Sequence, residues 1–215
     1  GTIFGTLAIN AEGGHALVSA VMIAIAIISY LTSTRIPAAP SAQPDLKLNW
    51  NLFGETWNVQ KMATQRDDVF QAILGVSWFW FLGVVFVTQI PLFTIDTLRG
   101  TETIATLIFA LFSIGIGAGS VFCNRLLKGV VSVKYVPVSA LLISLFIIDL
   151  YFAAGRATLL TPDVSTATLD TLLRSFNGLR TLFDLFAVAF CAGLYVVPLF
   201  ATMQARTPYY LRART

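Results

Sequence analysis

The chain has 215 residues, which would suit one ordinary soluble domain or two small ones. Apolar residues make up 56% and charged residues only 12%, about half the charged share of a soluble domain, and mean hydropathy is +0.78. Those figures exclude a soluble globular enzyme, a disordered chain and a disulfide-stapled secreted module. The net charge of +3 and pI near 9.0 do not point to nucleic acid, because the basic residues are scattered between apolar blocks. That placement suits membrane topology instead.

A membrane-spanning helix needs roughly 20 predominantly apolar residues to cross about 30 Å of hydrocarbon. Gly1 to Asn10 is apolar but too short, and is expected to be the end of a further span. It lacks the basic start and small-residue cleavage site of a signal peptide. The chain is therefore expected to be an internal piece of a longer membrane protein. The first complete span is about Ala16 to Thr34, between Glu12 and Arg35. Pro37, Pro40 and Pro44 in IPAAPSAQP then break the chain and mark a linker. Beyond it, Leu52, Phe53, Thr56 and Trp57 fall at helical spacing and predict an interfacial helix.

The second span, about Gln71 to Ile95, reads AILGVSWFWFLGVVFVTQIPLF over most of its length. Its Trp78, Phe79, Trp80 and Phe81 suit an aromatic belt or the wall of an apolar path. Gln89 is a polar group in hydrocarbon that needs a partner or a wet cavity, and Pro91 is expected to kink the helix. The third span, Thr103 to Asn124, carries Gly115 and Gly119 as a GxxxG face for a close-packed neighbour. The fourth, Tyr135 to Gly155, is interrupted only by Asp149. Leu169, Leu172, Leu173, Phe176 and Leu179 then form an apolar stripe, predicting a second surface-lying helix. The fifth span is Thr181 to Gln204, with Asp184 about one turn in. Runs this long fit helices, and the alternation of a barrel strand is absent.

If the spans alternate, ten of the 14 basic residues share one side: Arg35, Lys47, Lys61, Arg66, Arg125, Lys128, Lys134, Arg206, Arg212 and Arg214. The other side holds Arg99, Arg156, Arg174 and Arg180, accompanied by Glu12, Asp96, Glu102, Asp163 and Asp170. The bias makes the first side cytoplasmic. On this topology Asp149 and Asp184 lie at similar depth near the outer leaflet. Intramembrane acids are costly and are functional candidates by default. Arg180 stands four residues before Asp184, one helical turn, and offers it a local partner; Asp149 has no such neighbour on its own helix. Cys123 and Cys191 lie in apolar runs and read as small buried hydrophobes. His15 stands alone, and no zinc motif, phosphate-binding loop, nucleophile elbow or paired catalytic acids occur. No cofactor, metal or enzyme chemistry is expected within this chain.

Several segments carry a resemblance. GVSWFWFLGVVFVTQIP at Gly75 to Pro91 and FSIGIGAGSVFCNRL at Phe112 to Leu126 resemble the major facilitator superfamily, specifically its bacterial lysophospholipid transporter branch. VPVSAL at Val136 to Leu141 and GLYVVPLFATMQ at Gly193 to Gln204 add to it. The linker IPAAPSAQPDLKLNWN is similar to the central loop of the form fused to acyltransferase and acyl-ligase domains. The family pattern has an acid before the Arg that ends the third span, whereas this chain has Asn124 there.

The resemblance implies an all-α membrane protein, a partial major-facilitator-type bundle of about five transmembrane helices plus the end of a sixth. Residues 1–34 would close the N-terminal half, residues 35–70 would form the cytoplasmic linker, and residues 71–215 would hold the first four helices of the C-terminal half. The remaining helices of the parent would be partners. The parent would move lysophospholipids across the bacterial inner membrane by alternating access, for reacylation on the inner leaflet. Gln89, Asp149 and Asp184 would then be candidates for the headgroup and Trp78 and Phe81 for the acyl chain, with membrane lipids around them and no nucleic acid. Two other readings stay open: a permease for a small solute or drug, and a non-transporting membrane region of a bifunctional acyltransferase.

Overall fold

The computed structural model describes residues 14–35, 54, 57, 61, 64, 66–159 and 167–206. Regular structure among them is helical, apart from a single bridge between Gly100 and Ala167. Five helices are long and apolar enough to cross a membrane. The chain is an all-α membrane helix bundle, as the composition requires.

Two units divide at the proline-rich linker, Gly1–Pro44 and Asp45–Thr215. In the first, α1 (Gly14–Ser33) is a single helix free of Asp, Glu, Lys and Arg. Thr32 in its last turn and Thr34 just past its end spend their hydroxyls on backbone carbonyls of the helix, as lipid demands of polar groups.

In the second unit α2 (Asp67–Leu92) begins with Asp67 and Asp68 in its first turn, where the helix dipole favours negative charge. It runs through Pro91 and changes into a π-helical turn at Phe93–Thr97. Proline removes one backbone donor, and the wider turn takes up the change: Leu98 N donates to Phe93 O at 3.1 Å and the Thr94 hydroxyl to Ile90 O at 2.8 Å. Helix α3 (Glu102–Leu127) stops where Lys128 and Gly129 take left-handed φ values of 49° and 75°. Helix α4 (Val136–Leu159) accepts Pro137 in its first turn, where amide donors have no intrahelical partner. A short α5 (Leu169–Arg174) follows, capped by Thr168 and Thr171 in a reciprocal box. The chain ends its described part with α6 (Phe176–Arg206).

Helix α6 is the hub. It packs against α2, α3 and α4, and 61% of its most apolar stretch is buried, against 11% for α4. The α3 crossing is built on missing side chains. A Cβ on Gly115 would stand 2.8 Å from that of Ala189, and one on Gly119 would strike the Phe190 carbonyl. From the other side, a Cβ on Gly193 would strike the Ile116 carbonyl. The GxxxG face therefore packs on a small-residue face of α6, backbone against backbone. Cys123 continues it one turn further, buried, with its thiol 3.8 Å from Leu194 O. Cys191 is buried too, and both cysteines are free.

Several span boundaries differ from expectation. Helix α2 starts at Asp67 rather than Gln71, and α6 at Phe176 rather than Thr181. Both extensions recruit charged residues that find partners. Asp68 pairs with Arg206 at 2.6 Å and Arg66 at 3.3 Å, while Arg66 donates to the Arg206 carbonyl at 3.0 Å. The start of α2 is thereby tied to the end of α6. The stripe from Leu169 to Leu179 is not one surface helix. Ser175 is extended (φ −88°, ψ 134°), ending α5, and its hydroxyl accepts from Gly178 N at 2.9 Å, which caps α6. Leu172 turns inward and is buried, while Phe176 stays exposed. Of the interfacial helix expected after the linker, Gly54, Trp57, Lys61 and Thr64 are helical and Trp57 is exposed; Leu52, Phe53 and Thr56 lie outside the described residues, as does the segment Gly1 to Asn10.

Candidate functional site

Polar side chains within the bundle mostly solve their own hydrogen bonding. Thr88, Thr94, Ser113, Ser120, Ser139, Ser144, Thr181 and Thr202 each donate to the carbonyl four residues back. Such back-bonding is how hydroxyls are tolerated in an apolar helix. A carboxylate has no donor to spend this way. Asp149 and Asp184 must find partners outside their own helical turns.

Asp149 finds Arg180. It lies 13 residues along α4, about 20 Å from the start of that helix. The Arg180 guanidinium comes from the second turn of α6 and grips it with a fork. Nε donates to Oδ2 at 2.9 Å, and a terminal nitrogen donates to Oδ1. The two side chains are 35% and 31% exposed, so an approaching group can reach the pair. A planar bidentate match of this kind is the strongest arrangement available to a carboxylate and a guanidinium.

This differs from the local pairing of Arg180 with Asp184. Arginine is long enough to cross to α4 and present its fork to the carboxylate there, whereas Asp184 is a short side chain turned into the helix interface. Asp184 is 1% exposed. Its carboxyl interacts with Asp149 and Arg180, and its Oδ2 has no hydrogen-bond partner among the described residues. Three ionisable groups from two helices thus form one cluster.

An apolar plug flanks the cluster. Leu182 and Leu185, on either side of Asp184 in sequence, pack with Ile90, Leu98, Ile104, Ile108, Ala167 and Leu172. The connections around the plug are pinned: Gly100 N donates to Thr94 O and Ala167 N to Arg99 O, both at 2.8 Å. The far end of α6 is held by a second apolar cluster, Ala72, Val76, Leu199 and Met203, next to the Arg66–Asp68–Arg206 network. Helix α6 is therefore fixed by ions at both ends, to α4 at one and to α2 at the other.

The remaining candidates from the sequence sit elsewhere. Trp78 and Phe81 form a tilted ring pair 5.5 Å apart on the exposed face of α2. That helix turns Val69, Ala72 and Val76 inward instead. Gln89 is exposed on the same helix. The structure brings Asp149 and Asp184 together and leaves Trp78, Phe81 and Gln89 outside their cluster. Sequence spacing offers Arg180 only as a partner for Asp184; the depth match of Asp149 with the start of the fifth span is the signal that points it to the site. Among the described residues no group of three or more His, Cys, Asp and Glu side chains could hold a metal ion.

Neither protein-family models, curated proteins nor solved structures gave a match to this chain.

Proposed function

We propose that this protein is a major-facilitator-type transporter that moves lysophospholipids across the bacterial inner membrane by alternating access, and that Asp149 and Arg180 receive the zwitterionic headgroup. The observation that carries this reading is the partly exposed Asp149–Arg180 fork between two apolar helices. A phosphodiester is a bidentate acceptor for a guanidinium, and an ammonium is a natural partner for a carboxylate. A headgroup carrying both can replace one internal ion pair by two intermolecular ones, with no charge left unpaired in lipid.

The sequence segments Gly75 to Pro91, Phe112 to Leu126 and Gly193 to Gln204 supply the family and the substrate class through their resemblance. The close α3–α6 crossing, backbone on backbone, suits helices that move as one rigid block. Alternating access then rocks this block against the rest of the carrier around a fixed site. The exposed aromatic face at Trp78 and Phe81 supplies apolar surroundings for an acyl chain. On this reading the chain does no enzyme chemistry, and reacylation belongs to other domains or proteins.

Asp149→Asn keeps the shape of the side chain and removes the charge that meets the ammonium. Uptake of labelled lysophosphatidylethanolamine into spheroplasts by the intact protein should fall about tenfold to a hundredfold, the usual worth of a charged hydrogen-bond partner. Unchanged uptake removes Asp149 from the headgroup site.

A further inference from the structure

The connection between α3 and α4, residues 128–135, lies on the side that the Lys/Arg bias makes cytoplasmic. From Arg125 to Lys134 the chain carries three exposed cations, Arg125, Lys128 and Lys134, and no acid. Arg66, Arg174, Arg180 and Arg206 each meet a carboxylate. Among the described residues these three cations meet none, and the Lys134 ammonium lies 5.9 Å over the Tyr135 ring. Apolar side chains stand out between them: Val130, Val131 and Val133 are 66%, 44% and 46% exposed. Exposed valines among unpaired cations suit a bilayer surface, where apolar groups sink and cations stay at headgroup level. The amides of Val131, Ser132 and Val133 find no acceptor among the described residues, and a phosphate oxygen is one. Helix α3 carries the pattern into the hydrocarbon. Phe122 and Leu126 stand one turn apart with Arg125 on the same face, all three exposed. A cationic end above an apolar stripe matches the layout of a phospholipid.

We propose that this loop holds one anionic phospholipid of the cytoplasmic leaflet, of the phosphatidylglycerol type. Its phosphodiester sits among Arg125, Lys128 and Lys134, and an acyl chain runs along Phe122 and Leu126. The exposed valines select a lipid over soluble phosphate, which gains nothing from apolar surface. The lack of an acid from Arg125 to Lys134 selects a net negative headgroup over a zwitterionic one. An ammonium there would meet only like charge. The Asp149–Arg180 fork offers the opposite arrangement, one group of each sign. The loop site is therefore separate from the fork and does not depend on what the protein carries.

Native mass spectrometry of the intact protein in detergent, titrated with dioleoylphosphatidylglycerol, tests this. Replacing Arg125, Lys128 and Lys134 together by Gln should weaken the tightest-bound phosphatidylglycerol about tenfold to a hundredfold. Should that variant fail to fold, Lys128→Gln alone should still weaken it about fivefold. Replacing Val130, Val131 and Val133 together by Ser keeps every charge and should weaken it about tenfold. Phosphatidylethanolamine should bind the unaltered protein at least about tenfold less tightly than phosphatidylglycerol, and glycerol 3-phosphate should displace neither. A control that removes three other basic residues, Arg35, Lys47 and Lys61, should leave phosphatidylglycerol affinity within about twofold. The inference is overturned if the loop variants hold phosphatidylglycerol as tightly as the unaltered protein, or if phosphatidylethanolamine binds equally well. It is overturned too if glycerol 3-phosphate displaces the lipid, which would make the site one for soluble phosphate. An equal loss in the control would spread the attraction over the whole cytoplasmic side and likewise overturn it.

Discussion

Gly119→Leu should destroy the bundle, while Gly117→Ala two residues away should leave it intact. A Cβ at position 119 meets the carbonyl of Phe190, which is backbone and cannot rotate aside. The only relief is to separate α3 from α6, and that loses the neighbouring contacts at Gly115 and Gly193 as well. Overpacking a well-fitted core typically costs about 1–3 kcal/mol when side chains can adjust, so a clash with backbone should cost upward of about 3 kcal/mol. Gly117 faces open space, and alanine there recovers helix propensity of about 0.5–1 kcal/mol. Equilibrium unfolding by SDS titration of the protein in mixed micelles measures both. Equal stability of the two variants would show that α3 and α6 do not meet along this face.

Arg180→Glu should be comparably severe for a different reason. It sets a third carboxylate beside Asp149 and Asp184 and removes the cation that holds α4 to α6. Like charges in an apolar interface either repel or take up protons. Folded yield in detergent and lysolipid uptake should both be lost at neutral pH. Adding Asp149→Arg restores a cross-helix pair with its polarity reversed. Folded yield should then recover, but uptake should not, since the groups facing phosphate and ammonium have changed places. Recovery of uptake together with yield would reduce the pair to a structural clasp.

The contrast between these two sites marks what a sequence makes legible. Spans are visible because each is a local property: a run of apolar residues long enough to cross a bilayer. Gly115 and Gly119 likewise announce a close approach by their spacing. What they approach, Ala189 and Gly193, is a property of the pair of helices and was not visible in either alone. Helix ends are hidden from the sequence where charge is neutralised at a distance. The second span reads as starting at Gln71, yet the helix reaches back to Asp67 and Arg206 meets Asp68 across 138 positions of sequence. The same limit governs the site. Sequence spacing offers Asp184 the arginine one turn before it, while in space that arginine reaches Asp149, 31 positions away. The outer stripe from Leu169 to Leu179 shows the converse error. Its periodicity is real, but the Ser175 hydroxyl starts a new helix in its middle. Trp78, Phe81 and Gln89 stand out by composition, and α2 presents them on its exposed side because Val69, Ala72 and Val76 take the inward one.

The cluster also accounts for a second peculiarity of α6. Its far end is closed by Arg66, Asp68 and Arg206, an ionic contact with α2 that leaves no unpaired carboxyl oxygen. The Asp149 end is built from the same residue types and carries one carboxyl too many.

Uptake by the intact protein in proteoliposomes, compared across a panel of headgroups, tests the headgroup site most directly. Lysophosphatidylethanolamine, with both phosphate and ammonium, should enter at least about tenfold faster than lysophosphatidic acid, which offers Asp149 no cation. A small soluble cation should not enter at all. Equal entry of both lysolipids, or entry of the small cation alone, would contradict a lysophospholipid site at Asp149 and Arg180.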